Sequence, residues 1–191
     1  MIVTDEKFLR QKSVPATLEE AKEISKQLFD ELDKRKENDV GLAAPQIGIL
    51  KQVCIIRALK PIVLVNPQIV EAEGDTWYQE GCLSFSGASV RTRRNTDIVV
   101  KVDYLGVGTE VIQEWKEDVT IAFAGDGFHK IEDDMALLEC VAVQHEIDHT
   151  RGILFFDRIW KNIPIRINKS QKPNDKCLCG SGKKYKKCCG K

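Results

Sequence analysis

The clearest chemical signal in the chain is a pair of histidines with two acidic residues between them. His145 and His149 are four residues apart, so on a helix their rings lie on one face, about one turn apart. Each ring can then offer a nitrogen to the same metal ion. Glu146 follows the first histidine, and a carboxylate there acts as a general base in helical metal sites of this spacing. The segment therefore predicts a metal-dependent reaction of water.

The residues around this pair predict a buried helix. Residues 135–143 are mostly apolar, and Gly152 is a suitable stop just beyond the histidines. We therefore expect a helix over residues 134–150. Polar groups that directly follow an apolar run are costly to bury without a use. By itself, however, an HExxH pattern also occurs as the solvated face of an ordinary helix.

Cys82 is the candidate for a third metal ligand. It lies between Glu80 and Ser84, and Gly81 before it permits an unusual backbone turn. One thiolate and two imidazoles would leave a coordination position open, as in catalytic metal sites. Most lone cysteines are instead small buried hydrophobes, and that alternative stays open here.

A second candidate segment covers residues 41–48, with the sequence GLAAPQIG. Its small residues allow the backbone to approach a ligand or another strand closely. Gln46 is its polar side chain and could extend an amide donor into a site. A tight structural turn would fit the segment equally well.

Strands that precede a long helix indicate an α+β fold that would position these groups. Residues 17–20 have the form of a capping box, and an apolar stripe then predicts a helix to about residue 36. We predict strands over residues 52–56, 61–66, 68–73, 88–91 and 96–103. A turn is predicted at 105–108, and residues 110–115 and 119–123 are predicted to form a last hairpin.

Length and composition limit the class of protein. A chain of 191 residues can form one core and a small appendage. It has no apolar run of the roughly 18 to 20 residues that span a bilayer, and its first residues do not resemble a signal peptide. We therefore expect a cytoplasmic protein with no membrane partner.

Charge and cysteines are concentrated at the end of the chain. Residues 168–191 hold eight lysines and one aspartate (8 − 1 = +7), so the remainder is −7 in a chain of zero net charge. Four of the seven cysteines are also there. In a reducing compartment such a cluster is typical of metal ligands.

Three segments in order, GLAAPQIG, EGCLS and QHEIDH, resemble the three signature motifs of peptide deformylases, and the resemblance covers about residues 5–160. It implies mixed or antiparallel sheets around a central HExxH helix, in a catalytic domain of residues 1–167. The implied activity is removal of the formyl group from the N-terminal formylmethionine of new polypeptides.

The same resemblance implies a role for each site residue. Cys82, His145 and His149 would bind a divalent metal, usually ferrous iron, with zinc, nickel or cobalt as alternatives. Glu146 would take a proton from the metal-bound water and pass it to the leaving amine. The side chain of Gln46 and the backbone N–H of Leu83 would face the oxygen of the tetrahedral intermediate. The residues implied for substrate binding are Val40, Gly41, Val141 and Ala142.

The tail resembles the SEC-C zinc motif, which has CxC, eight residues and then two further ligands. Its ligand positions are Cys177, Cys179, Cys188 and Cys189. Four thiolates with no open position make a structural zinc site. We expect residues 168–176 to be a linker and residues 177–191 a zinc knuckle, whose lysines suit ribosomal RNA or an acidic protein.

The sequence departs from the deformylase pattern at three places. Asp39 stands where the family usually has glycine, and Ser86 where proline is common. The segment at about 114–134 is long for the family, and no role is assigned to it. Three other functions stay open: an HExxH peptidase, a cysteine hydrolase that uses Cys82 with His145, and an inactive module that binds nascent chains or the ribosome through the tail.

Overall fold

The computed structural model describes residues 1–35, 39–109, 112–125, 135–160, 173–174 and 184–187. Its helices are α1 (Glu6–Leu9), α2 (Leu18–Asp33) and α3 (Met135–Thr150). Its strands are β1 (Gly41–Ala43), β2 (Val53–Ile56), β3 (Ile62–Val65), β4 (Gln68–Glu73), β5 (Thr76–Gly81), β6 (Ser89–Arg94), β7 (Asp97–Thr109) and β8 (Ile112–Ala124). Short 3-10 helices cover Ala44–Ile47, Leu83–Phe85, Phe155–Arg158 and Tyr185–Lys187. Within these ranges no helix is both long and apolar enough to cross a bilayer.

The strands form two antiparallel sheets. The larger sheet has the order β1–β2–β3–β7–β4, and β8 pairs with β7 along its whole length. Strands β5 and β6 form a separate two-stranded sheet. Antiparallel sheets with few helices agree with the predicted α+β class.

Helix α2 packs on one face of the larger sheet. The predicted capping box is present: the Thr17 hydroxyl accepts from the Glu20 N–H at 3.3 Å, and the Glu20 carboxylate accepts from the Thr17 N–H at 2.9 Å. The helix ends at Asp33 rather than near residue 36. Its apolar stripe shares one core cluster with alternate strand residues, and that core contains Ile24, Leu28, Phe29, Val53, Ile55, Val63 and Val65.

Helix α3 packs in a second core cluster with the other residues of the same strands. Cys54, Ile56 and Leu64 cluster there with Val143 and Ile147 of the helix. Successive strand residues point to opposite faces, so β2 is buried on both. This burial fixes the helix that contains both histidines.

Two sequence predictions in the middle of the chain were wrong. Residues 105–108 do not form a turn, because they continue β7. The predicted hairpin of 110–115 and 119–123 is instead one strand, β8, paired with β7. Trp115 lies opposite Gly106, where an added Cβ would be 3.1 Å from the indole ring. Gly106 therefore provides space for a cross-strand aromatic ring and does not mark a turn.

Candidate active site

Three side chains that could bind a metal converge from two distant segments. Cys82 follows β5 and precedes the 3-10 helix Leu83–Phe85, while His145 and His149 lie on consecutive turns of α3. Sγ of Cys82 is 3.3 Å from Nε2 of His149, and that nitrogen is 3.2 Å from Nε2 of His145. The three ligand atoms all lie within 4.8 Å of one another.

This arrangement fits a metal ion. A tetrahedral cation with ordinary bond lengths would hold two nitrogens about 3.3 Å apart, and a nitrogen and a sulfur about 3.6 Å apart. The observed separations of 3.2 and 3.3 Å are close to these values. A thiolate with two imidazoles also suits the divalent ions of iron, cobalt, nickel and zinc. Three protein ligands leave a coordination position for water or substrate.

Glu80 orients the first histidine. Its Oε2 lies 2.6 Å from Nδ1 of His145, which leaves Nε2 of that ring for the metal position. The carboxylate also accepts from the Thr92 hydroxyl and from Arg94 at 2.6 and 2.9 Å. Burial alone would raise the pKa of Glu80, but the Arg94 guanidinium and His145 hold that pKa well below its usual range. Glu80 is therefore a charged acceptor at neutral pH.

The guanidinium of Arg94 joins this carboxylate to a second one. It donates to Asp148 on α3 at 2.6 Å, and Asp148 also accepts from Arg158 at 2.7 Å. The side chains of Arg94, Glu80 and Asp148 are only 2 to 5% exposed. Arg94 was not among the residues predicted from the sequence. The available signal was the alternation of β6, which places Val90, Thr92 and Arg94 on the buried side.

Glu146 lies beside the metal position with one oxygen free. Its side chain is buried, and Oε2 has no hydrogen-bond partner among the described residues. The backbone of Gly41 approaches so closely that a Cβ there would lie 2.7 Å from Oε1. Burial raises the pKa of Glu146 to about 7. The group can therefore exchange a proton near neutral pH.

Two donors lie next to Cys82. Oε1 of Gln46 accepts from the Ala43 N–H at 2.9 Å, so its amide nitrogen points the other way, 3.6 Å from Sγ of Cys82 and 3.5 Å from Oγ of Ser84. Leu83 is the first residue of a 3-10 helix, and the first N–H groups of a helix have no partner within it. Both groups can donate to a substrate oxygen.

One open cleft of about 410 Å³ is lined by Gln46, Cys82, Leu83, His145 and Glu146. Its wall includes every residue predicted to bind substrate, and these are Val40, Gly41, Val141 and Ala142. Of the predicted site, only the tail cysteines Cys177, Cys179, Cys188 and Cys189 lie outside the described residues. The second half of the long segment at 114–134 also lies outside them.

An open cleft with a Cys–His–His donor set and a free carboxylate is the arrangement of a metal-dependent hydrolase. The family model of polypeptide deformylase matches residues 1–163, and the SEC-C motif matches residues 174–191. The chain belongs to the polypeptide deformylase family.

Individual relatives agree with this assignment. A peptide deformylase of Heliobacterium modesticaldum is 38% identical over 159 residues, which is 82% of this chain and 90% of the relative. A crystal structure of a peptide deformylase from Legionella pneumophila superposes with a TM-score of 0.65 at 29% identity, covering 83% of this chain and 85% of the other. A deformylase of Acinetobacter baumannii with Met-Ala-Ser bound has a TM-score of 0.64 at 27% identity, covering 83% and 97%. The predicted activity, removal of the formyl group from N-terminal formylmethionine, is confirmed.

Proposed function

We propose that Cys82, His145 and His149 hold one divalent cation, ferrous iron in the native enzyme, at the catalytic centre of this deformylase. Zinc, nickel or cobalt would fit the same donors. The observation that supports this most is the convergence of the three candidate ligand atoms within 4.8 Å of one another. Glu146 lies in the same cleft, and its Oε2 has no hydrogen-bond partner among the described residues. Such a cation lowers the pKa of bound water toward neutrality and so supplies the nucleophile.

The residues of the chain would then move the proton and stabilise the charge. Glu146 accepts a proton from the attacking water at Oε2 and returns it to the amine that leaves. The amide of Gln46 and the N–H of Leu83 donate to the formyl oxygen as negative charge develops there. Each such donor is typically worth about 2.7 to 4 kcal/mol in the transition state. The free Oε2 and the orientation of Gln46 support these roles.

The substrate peptide would lie along β1 as an added strand. This strand is at one end of the sheet order, and Gly41 lines the cleft. Strand addition is a general way to bind an extended peptide. The methionine side chain would enter the apolar part of the cleft formed by Val40, Val141 and Ala142. The bound Met-Ala-Ser of the Acinetobacter baumannii enzyme supports this kind of occupant.

We further propose a structural zinc ion in the tail and three parts in the chain. The catalytic domain would be residues 1–167, the linker 168–176 and the zinc knuckle 177–191. The SEC-C match over residues 174–191 supports the knuckle. Its excess of lysines would bind an acidic partner, either ribosomal RNA or an acidic protein surface. Such a partner would place the enzyme near new polypeptides in the cytoplasm.

The test is anaerobic purification followed by metal analysis and by assay on a formyl-Met peptide beside its acetyl counterpart. We expect two metals of different kinds per chain and release from the formyl peptide alone. Glu146→Ala should keep the catalytic metal and lose most turnover, whereas Glu139→Ala, on the same helix, should keep both.

Near-native turnover of Glu146→Ala would contradict the proposed base. Zinc in the tail alone, with no release of formate by the wild type, would contradict the catalytic centre and favour an inactive binding module.

A further inference from the structure

A cluster of three phenylalanine rings joins the loop that contains Cys82 to the segment after α3. Phe85 follows Cys82 by three residues, and Phe155 and Phe156 follow α3 in the chain. The Phe85 ring stands nearly perpendicular to that of Phe156 at a centroid distance of 5.1 Å, and it lies 6.0 Å from that of Phe155. None of the three is among the described residues that line the cleft. The cluster can therefore act on the candidate ligands without contacting a substrate in the cleft.

The backbone couples the position of the Phe85 ring to that of Cys82. The Phe85 N–H donates to the Cys82 carbonyl at 3.0 Å and so closes one 3-10 turn. The Phe85 carbonyl in turn accepts from the Ala88 N–H at 3.0 Å. Both turns belong to the β5–β6 loop, residues 82–88, which connects these two strands. A shift of the ring would therefore also move the backbone of Cys82.

The other two rings belong to the 3-10 helix Phe155–Arg158, which several contacts join to the rest of the fold. Its Asp157 accepts from Arg10 at 2.9 Å, and its last residue donates to Asp148 of α3 at 2.7 Å. Just beyond it, a backbone hydrogen bond of 2.9 Å joins the chain to β6. The short helix is thus a platform on which the β5–β6 loop can rest.

Ring contacts also connect this platform to the histidine pair. The Phe155 ring is buried and lies 5.9 Å from the ring of His145, which in turn lies 4.9 Å from that of His149. The perpendicular arrangement of Phe85 and Phe156 is one that aromatic pairs favour, since a ring edge is positive and a ring face is negative. An aliphatic side chain would not keep this preferred geometry.

We propose that the contact of Phe85 with Phe156 positions the Cys82 sulfur for the catalytic cation, so that both phenylalanines are positioning residues. This rests on the proposed function, in which Cys82 binds that cation together with two histidines. A set of ligands binds a cation tightly when packing already holds its donor atoms at the right separations. Without the ring contact the β5–β6 loop would be free to shift, and the bond from the sulfur to the cation would weaken.

The test is cobalt titration of the full chain after removal of the catalytic cation, followed through the absorption band of the thiolate–cobalt bond. We expect Phe85→Leu and Phe156→Leu each to lower the cobalt affinity about tenfold, as for other lost supports of metal ligands, and to shift the band. Because the two rings act through one contact, the double variant should bind no more weakly than either single variant. Phe29→Leu removes a buried ring from the core under α2 and should keep the affinity and the band.

Further readouts separate positioning from stability. Urea unfolding should show that Phe29→Leu also destabilises the fold, although it leaves cobalt binding unchanged. At saturating cobalt, Phe85→Leu should keep the wild-type KM for a formyl-Met peptide. Wild-type affinity and an unshifted band in both Phe85→Leu and Phe156→Leu would overturn the proposal. Titration of Cys82→Ala gives the signal of the tail cysteines, and a wild type with no band beyond that signal would contradict the proposed metal centre instead.

Discussion

Nδ1 of His145 lies 2.6 Å from the buried carboxylate of Glu80, which belongs to a different sheet from the strands that pack on α3. This contact fixes which ring nitrogen faces Cys82. Carboxylate partners of this kind set the tautomer and the basicity of a metal-binding histidine. The small β5–β6 sheet therefore supplies the group that orients an imidazole, and Cys82, the proposed sulfur ligand, directly follows it.

Loss of the charge on Glu80 should weaken the binding of the proposed catalytic metal. Glu80→Gln keeps the shape of the side chain but removes the anion that faces His145 and Arg94. We expect an affinity about 10- to 100-fold lower, measured by cobalt titration through the thiolate-to-cobalt absorption band. Turnover should return at saturating metal, and Glu73→Gln should bind like the wild type. An unchanged cobalt affinity in Glu80→Gln would show that the contact does not tune the metal.

Removal of Arg94 should destabilise the fold far more than removal of its neighbour. Arg94→Met leaves Glu80 and Asp148 buried without their shared cation, and breaking such buried pairs costs about 3 to 5 kcal/mol. Arg93 is 69% exposed and pairs with Asp75 on the surface. Arg93→Met should therefore cost far less, because an exposed ion pair contributes little to stability.

Urea titration of the metal-free proteins measures both changes. Equal losses in the free energy of unfolding for Arg94→Met and Arg93→Met would contradict the buried network.

A methyl group on Gly41 should displace the proposed base. The added Cβ would lie 2.7 Å from Oε1 of Glu146, so the carboxylate must move away. A displacement of about 1 Å can cost about 100-fold in rate. We expect Gly41→Ala to lose turnover on this scale while its catalytic metal content stays at one per chain. Wild-type kcat/KM in Gly41→Ala would mean that Glu146 is not held at the reacting position.

Removal of the metal by a chelator should distinguish metal-dependent hydrolysis from hydrolysis by a cysteine nucleophile. If the cation supplies the nucleophile, removal of the metal abolishes formate release, and ferrous iron or cobalt restores it. A cysteine hydrolase that uses Cys82 with His145 would keep its activity in chelator. The comparison is made on dialysed protein, with formate release as the readout in both conditions.

The sequence predicted which side chains meet at the candidate site better than it predicted the residues that support them. Cys82, His145 and His149 could be found because each segment has a recognisable pattern, and strands followed by a helix predicted the fold class. The alternation of β6 could have placed Arg94 on the buried side of its strand, but it could not have identified the partners of that residue. Its partners are 14 and 54 residues away, and only the folded chain brings them together.

The errors in β7 and β8 have a similar origin. Gly106 and Gly108 favour a turn on local grounds, and the alternative use of Gly106 depends on Trp115 of the neighbouring strand. Cross-strand packing outweighed the local preference of these glycines. Asp118 even adopts a left-handed backbone, at φ 46°, within the paired strand.

Anomalous diffraction from crystals of the cobalt-loaded enzyme tests the proposed metal centre most directly. If these three side chains bind the catalytic cation, a peak should lie about 2.3 Å from Sγ of Cys82 and about 2.0 to 2.1 Å from Nε2 of both His145 and His149. Full occupancy of cobalt elsewhere in the chain, with no peak among these three atoms, would contradict it.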